Sequence, residues 1–158
     1  MRLRILLVCC GSLALTVGLA TSAAAVKPQT INLLEVDTSF TPIGGWDESS
    51  GAPPAIGQGF TFGGVLYRWA GPRRGKAVGR IAAMCTVVTK THFLCHGALF
   101  LPGGVLELLA PVSLEGEAPL NIPVVGGTGA YAGAKGVMRS TSIGGGDSNK
   151  SSLVIHLL

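Results

Sequence analysis

Few side chains in this 158-residue chain are of kinds that do chemistry: three histidines, four cysteines and eight carboxylates. The spacing of the histidines argues against a metal site. His92 and His96 are four positions apart on an expected strand, so they share a side but lie about 13 Å apart at ~3.3 Å per residue. That is too far to share one ion with bonds of ~2.1 Å. His156 has no local partner, so no metal is expected, and no Ser-His-Asp arrangement stands out among serines that sit mostly in turns. Glu107 alternates with Leu106 and Leu108, opposite the apolar stripe Leu106, Leu108, Ala110, Val112 and Leu114. It is a ligand-binding candidate if the stripe faces outward and a solvated residue otherwise. Glu35 has the same two readings: a surface carboxylate on a half-exposed strand, or a cavity carboxylate whose pKa burial raises.

The cysteines are more informative. If Thr89-Lys90-Thr91 is a three-residue hairpin loop, Val88 opposes His92 and Cys85 opposes Cys95. Opposed residues of antiparallel strands have Cα atoms ~4.5–5.5 Å apart, within the ~4.4–6.8 Å that a disulfide accepts. A Cys85–Cys95 bridge is therefore expected. Its loop is short, so the chain-entropy model gives a stabilisation of ~2–3 kcal/mol.

The bridge needs an oxidising compartment, and the start of the chain supplies the address. Arg2 and Arg4 precede an apolar run from Ile5 to Ala20, and Ala23-Ala24-Ala25 has the form a signal peptidase reads. Residues 1–25 are expected to be a cleaved signal peptide and the protein to be secreted. Cys9 and Cys10 leave with it, and no later segment is apolar and long enough to be a spanning helix. Residues 26–158 then form one domain. Without Arg2 and Arg4, the 12 basic residues of the chain become 10 against 8 acidic ones. Arg73-Arg74-Gly75-Lys76 is the one basic cluster, with no interleaved aromatics, which argues against a nucleic-acid partner.

Positioning these residues falls to short strands. Runs rich in Val, Ile, Leu and Thr lie between Gly/Pro clusters, and long helical periodicity is absent. Eight strands are expected over Thr30–Thr38, Gly59–Trp69, Ala77–Thr89, Thr91–Leu101, Val105–Leu114, Leu120–Val125, Ala134–Ile143 and Ser151–Leu158. Residues Pro42 to Gly57 read as a long loop, Pro102-Gly103-Gly104 as a tight turn and Gly144–Asn149 as a flexible one. An open Leu-Val-Ile-His-Leu-Leu edge would invite aggregation, so the last strand is expected to pair with the first and close an antiparallel barrel. Eight strands leave an interior that side chains fill or that holds one small ligand. Ala82, Ala83 and Ala98 leave room for one.

Three stretches together resemble a known family: IGQGFTFGGVLY ending at Tyr67, GRIAAMCTVV from Gly79 to Val88, and VVGGTGAYAGAKGV from Val124 to Val137. Their order and spacing are similar to the allene oxide cyclase and dirigent-like barrels, and this chain looks like a secreted bacterial-type member. Leu34-Glu35-Val36-Asp37 and Thr41-Pro42 also fit. The glycine run lacks the strand–turn–helix context of a phosphate cradle. The resemblance implies an all-β, single eight-stranded antiparallel barrel of calycin type. It implies no cofactor, and a small apolar, lipid-derived or phenolic molecule whose conformation or stereochemistry the barrel steers. Any enzyme activity would be that of a cofactor-independent isomerase or cyclase, and trimers are implied as a homo-oligomeric state. Glu35 matches the family's first-strand carboxylate, Asp37 stands where the cyclases have an asparagine, and Gly64 falls where they have a second. Glu35 and Asp37 are the catalytic candidates; Thr41, Pro42, Phe60 and Phe62, with Glu107, are the ligand-binding ones. A non-catalytic carrier of a hydrophobic ligand and a structural, envelope-associated barrel filled by its own side chains are the alternatives.

Overall fold

A computed structural model describes residues 26–71, 74–116, 119–144 and 148–158. The expected signal peptide, Arg73 of the basic cluster and residues 145–147 of the glycine turn lie outside them. Eight strands run in chain order around a closed antiparallel barrel: β1 (Gln29–Ile43), β2 (Gly59–Trp69), β3 (Arg74–Val87), β4 (His92–Leu101), β5 (Gly104–Ser113), β6 (Leu120–Gly127), β7 (Gly136–Ser142) and β8 (Lys150–Leu157). β8 returns to β1 from Gln29–Leu157 to Val36–Lys150. Closure pairs the apolar last strand on both sides, against β7 and β1, and leaves it no free edge.

Alternation along each strand divides the residues between lumen and outer wall. On β5, Leu106, Leu108 and Ala110 are buried while Glu107 and Leu109 are exposed. The expected hairpin register holds residue for residue: Val87 pairs with Phe93, Thr86 with Leu94 and Cys85 with Cys95. The cysteines are bridged, with Cα atoms 4.0 Å apart. Pro102 and Gly103 join β4 to β5 as a two-residue turn, with Leu101 paired to Gly104. Gly103 has φ +93°, a conformation that favours glycine.

Two departures shape the interior. β1 continues to Ile43 rather than ending near Thr38, so Thr41 and Pro42 belong to the strand. Its pairing with β2 shifts between Asp37 and Ser39: Thr38 is an extra residue that makes a β-bulge, which bends the strand and re-aims the side chains beyond it. Pro42 is tolerated because β1 pairs with β8 only as far as Val36, and a proline fits a strand whose other side is unpaired. Second, β5 and β6 pair only where Leu106–Leu108 meets Val124–Gly127. Pro111 and Pro123, which cannot donate to a ladder, lie beyond that short contact.

One end of the lumen is solid. Leu33, Leu66, Leu99, Leu106, Met138, Leu153 and Ile155 form its core, each 2 % exposed or less. The glycine run packs onto that end, beside an open cleft of about 440 Å³ lined by Ile31, Leu33, Val78, Leu101 and Tyr131. Ala130 N–H donates to the Gly103 carbonyl at 2.8 Å and Thr128 N–H to that of Val105 at 2.8 Å. A side chain at Gly104 would strike the Thr128 carbonyl at 2.0 Å. This close docking onto the β4–β5 turn brings Tyr131 and Ala134 against the core.

Candidate functional site

Above that plug the lumen is open: a cavity of about 410 Å³ occupies the upper half of the barrel. Ile81, Leu108, Ile122 and Met138 belong both to its lining and to the core or its packing shell, and so form its floor. One wall consists of rows of paired inward residues on β3, β4 and β5: Ala83–Gly97–Leu108, then Cys85–Cys95–Ala110. Small residues keep this wall thin. A Cβ on Gly97 would press on that of Ala83 at 3.0 Å. The smallness expected of Ala82 and Ala98 plays no part here, since both lie off the cavity lining, in the register of exposed Glu107.

The opposite wall carries the ionisable groups. Glu35 and Asp37 alternate on β1, both facing inward, and both line the cavity. Glu35 is 5 % exposed, the single buried charged residue among those described. Its neighbours across the ladders are Leu66 on β2 and Ser151 on β8, neither of which brings a positive charge. Burial, then the charge of Asp37, then a hydrogen bond between the two carboxyls push the Glu35 pKa up from 4.5 to about 8. The Asp37 carboxyl is also raised, by burial, with the bond to Glu35 opposing. Two carboxyls this close cannot both ionise freely and hold a proton between them, so they titrate as a pair. Oε1 of Glu35 and Oδ1 of Asp37 are buried without a hydrogen-bond partner. Asp37 is fixed from behind, its N–H donating to the Asn149 carbonyl at 2.8 Å and its carbonyl accepting from Asn149 Nδ2 at 3.2 Å. Gly64 opposes it, and a Cβ there would meet the Val36 carbonyl at 2.9 Å.

Aromatic rings line the mouth. Phe40 stacks on Phe60 at 5.0 Å, Phe93 meets Phe60 edge-on at 5.3 Å, and Phe62 lies 6.3 Å below. Trp46, on the loop after β1, stands 6.3 Å from Phe40 and 6.4 Å from Phe60. That loop is tied down: Trp46 Nε1 donates to the Ala52 carbonyl, Gln58 Nε2 to that of Gly44, and Gly57 N–H to that of Val87. Ser39, Ser140, Ser142 and Ser151 add hydroxyls to the lining.

Glu35, Asp37, Phe60 and Phe62 are thus brought together. Thr41, Pro42 and Glu107 are not among the lining residues. The bulge at Thr38 reverses the parity of β1, turning Phe40 inward with its partner Phe62 and leaving Thr41 exposed beside Thr61. Pro42 pairs with Phe60 at the strand's end. Glu107 is exposed on the outer wall, because the apolar stripe of β5 faces the lumen. Sequence reasoning passed over Phe93, although the hairpin register that paired the cysteines places it on their side. It also passed over Phe40, which simple alternation from Glu35 points outward.

No protein-family model matches the chain, and no curated protein matches it. Solved structures do. A pyocyanin demethylase aligns at 19 % identity and a TM-score of 0.64, over 82 % of this chain and 100 % of its own. A pterocarpan synthase dirigent protein aligns at 15 % and 0.62, over 87 % and 88 %. An exo-specific intermolecular Diels-Alderase aligns at 16 % and 0.59, over 83 % and 98 %. At these identities the likeness is one of fold: an eight-stranded barrel that dirigent proteins and cyclases share.

Proposed function

We propose that this barrel binds one small, largely apolar organic molecule in its upper half and steers its conformation or ring closure, with the Glu35–Asp37 pair acting on charge that develops in the bound molecule. The observation that carries this reading is a carboxyl pair with a raised pKa facing a cavity lined otherwise by apolar side chains, a glycine and four serines. A filled barrel needs no such cavity, and a plain carrier gains nothing from buried acids. The walls hold the molecule in one fold and exclude water, which lowers the entropic barrier of a cyclisation. At neutral pH Glu35 holds its proton and can donate it to a carbonyl or ether oxygen, while Asp37 stabilises the positive charge left behind. Such groups act strongly where water is excluded. The similarity to a dirigent protein and a Diels-Alderase supports this class of chemistry. A ring closure of the allene oxide cyclase kind is the finer form of the proposal.

The protein is further proposed to be exported by its 1–25 leader and to work outside the cytosol, where its disulfide persists. Met84, Leu94, Phe100 and Leu109 lie on the outer wall of β3–β5, 40–49 % exposed, which supports the self-association that the resemblance implies. The test is native mass spectrometry of protein purified from its host's culture fluid, with extraction of bound small molecules. A stoichiometric organic ligand, transformed by the wild type and merely bound by Glu35→Gln, is the expected result. The reading fails if no ligand is found and phenolic and lipid-derived probes do not bind.

A further inference from the structure

We propose that the ligand of this cavity is an organic cation: a protonated amine or N-alkylated heteroaromatic nitrogen carried on a flat apolar body. This rests on the reading above, that the cup binds a small organic molecule, and it specifies that molecule's charge.

The walls carry acid and no base. Among the described residues, the lining includes Glu35 and Asp37 and no lysine, arginine or histidine. Every element packed against the pair agrees. β2 faces it with Leu66 and Gly64, β8 with Ser151, and β7 brings Ser140 and Ser142 to the cavity. Lys150 is exposed and pairs with Val36, which alternates with Glu35 and so points the other way. The bridged cysteines do not titrate. An anionic ligand such as a free fatty acid would therefore meet two carboxyls and no counter-charge in a poorly solvated space, where like charges repel strongly.

Both acids also present an unfilled acceptor. Glu35 is 95 % buried by its 5 % exposure, yet its Oε1 has no partner, and neither has Oδ1 of Asp37. Enclosed acceptors without donors make ionisation of the pair costly, and a positive charge in the cavity offsets that cost where a purely apolar molecule does not. The other half of the cavity suits the rest of such a ligand. Phe40 pairs with Phe62 and Glu35 with Leu66, four positions apart on β2, about 13 Å at ~3.3 Å per residue, a span for two or three fused rings. The faces of Phe40, Phe60 and Phe93 attract cations as well as flat apolar surfaces. Burial holds Glu35 protonated near neutrality, with a pKa of about 8. A cation that enters therefore drives a proton out, and its affinity rises with pH.

The test is calorimetric titration of the purified protein with three probes of similar size: the permanent cation N-methylquinolinium, neutral quinoline and anionic 2-naphthoate, at about pH 6 and about pH 9. The cation should bind at least about tenfold tighter than quinoline at the higher pH, with a several-fold smaller margin at the lower one, and should release a proton. Glu35→Gln, or Asp37→Asn should the first variant not fold, should cut the margin and flatten its pH dependence. Equal binding of cation and neutral probe, or tightest binding of naphthoate, overturns the charge assignment and leaves the small-molecule cup standing. A cation margin that does not change with pH overturns the acid pair as its partner. Binding of none of the three overturns both.

Discussion

At the scale of single residues, Glu35 makes the protein's stability depend on pH with a defined sign. Its folded pKa, about 8, lies above its ordinary 4.5. Between those values the folded chain holds a proton that the unfolded chain has released, so stability falls as pH rises. It is fully present below about pH 4.5 and lost as pH climbs through about 8. The loss amounts to several kcal/mol at 1.36 kcal/mol per unit. Thermal melts should show it: the melting temperature of the wild type should drop on the order of 10 °C from pH 5 to pH 9. Glu35→Gln, which keeps shape and removes the charge, should show a much smaller slope and melt higher than the wild type at pH 9. Parallel slopes for the two proteins would mean that Glu35 is not the titrating group.

At the scale of elements, the register of the β3–β4 hairpin was legible in the sequence and that of the upper half of β1 was not. The hairpin declares itself through a three-residue loop and two cysteines equidistant from it, which leave one pairing. β1 is different. Strict alternation from Glu35 assigns Thr41 to the lumen, and nothing in Asp37-Thr38-Ser39 announces an extra residue, because a bulge is set by how two neighbouring strands coil rather than by a local motif. Two expectations can be measured. Deleting Thr38 should remove the bulge while keeping Ser39 opposite Gly63 and Phe40 opposite Phe62, so Phe40 should stay on the lumen face and aromatic probes should bind within a few-fold of the wild type, with the far-ultraviolet spectrum unchanged. Replacing Cys85 and Cys95 by alanine should lower the free energy of unfolding in urea by about 2–3 kcal/mol, the chain-entropy value for a separation of 10 residues, while the barrel persists.

At the scale of the whole molecule, the barrel divides into a packed lower half, which stabilises it, and an open upper half, which gives up packing for a binding site. Substitutions should separate the two. Leu99→Ala, in a side chain with no exposure and away from the cavity lining, should cost about 3–4 kcal/mol in urea unfolding, as other buried leucines do. It should leave ligand affinity nearly unchanged. Ala83→Phe should do the reverse, since Ala83 lines the cavity and is only half-buried: ligand binding should be lost with little change in melting temperature. This division was half visible in the sequence. Alternating Leu, Ile and Val predicted a core and eight strands predicted a lumen, but whether side chains fill a lumen depends on which rows of several strands meet at one height, and that is decided by register around the whole barrel.

The pairing of Gln29 with Leu157 has a consequence for handling and for attachment. The first and last strands meet at the plugged end, so a tag, a linker or a partner domain joined through either one departs from the floor of the cup. Tethered to a bead or a cell surface by that end, the protein presents its aromatic mouth outward, and molecules from solution reach it without passing the tether.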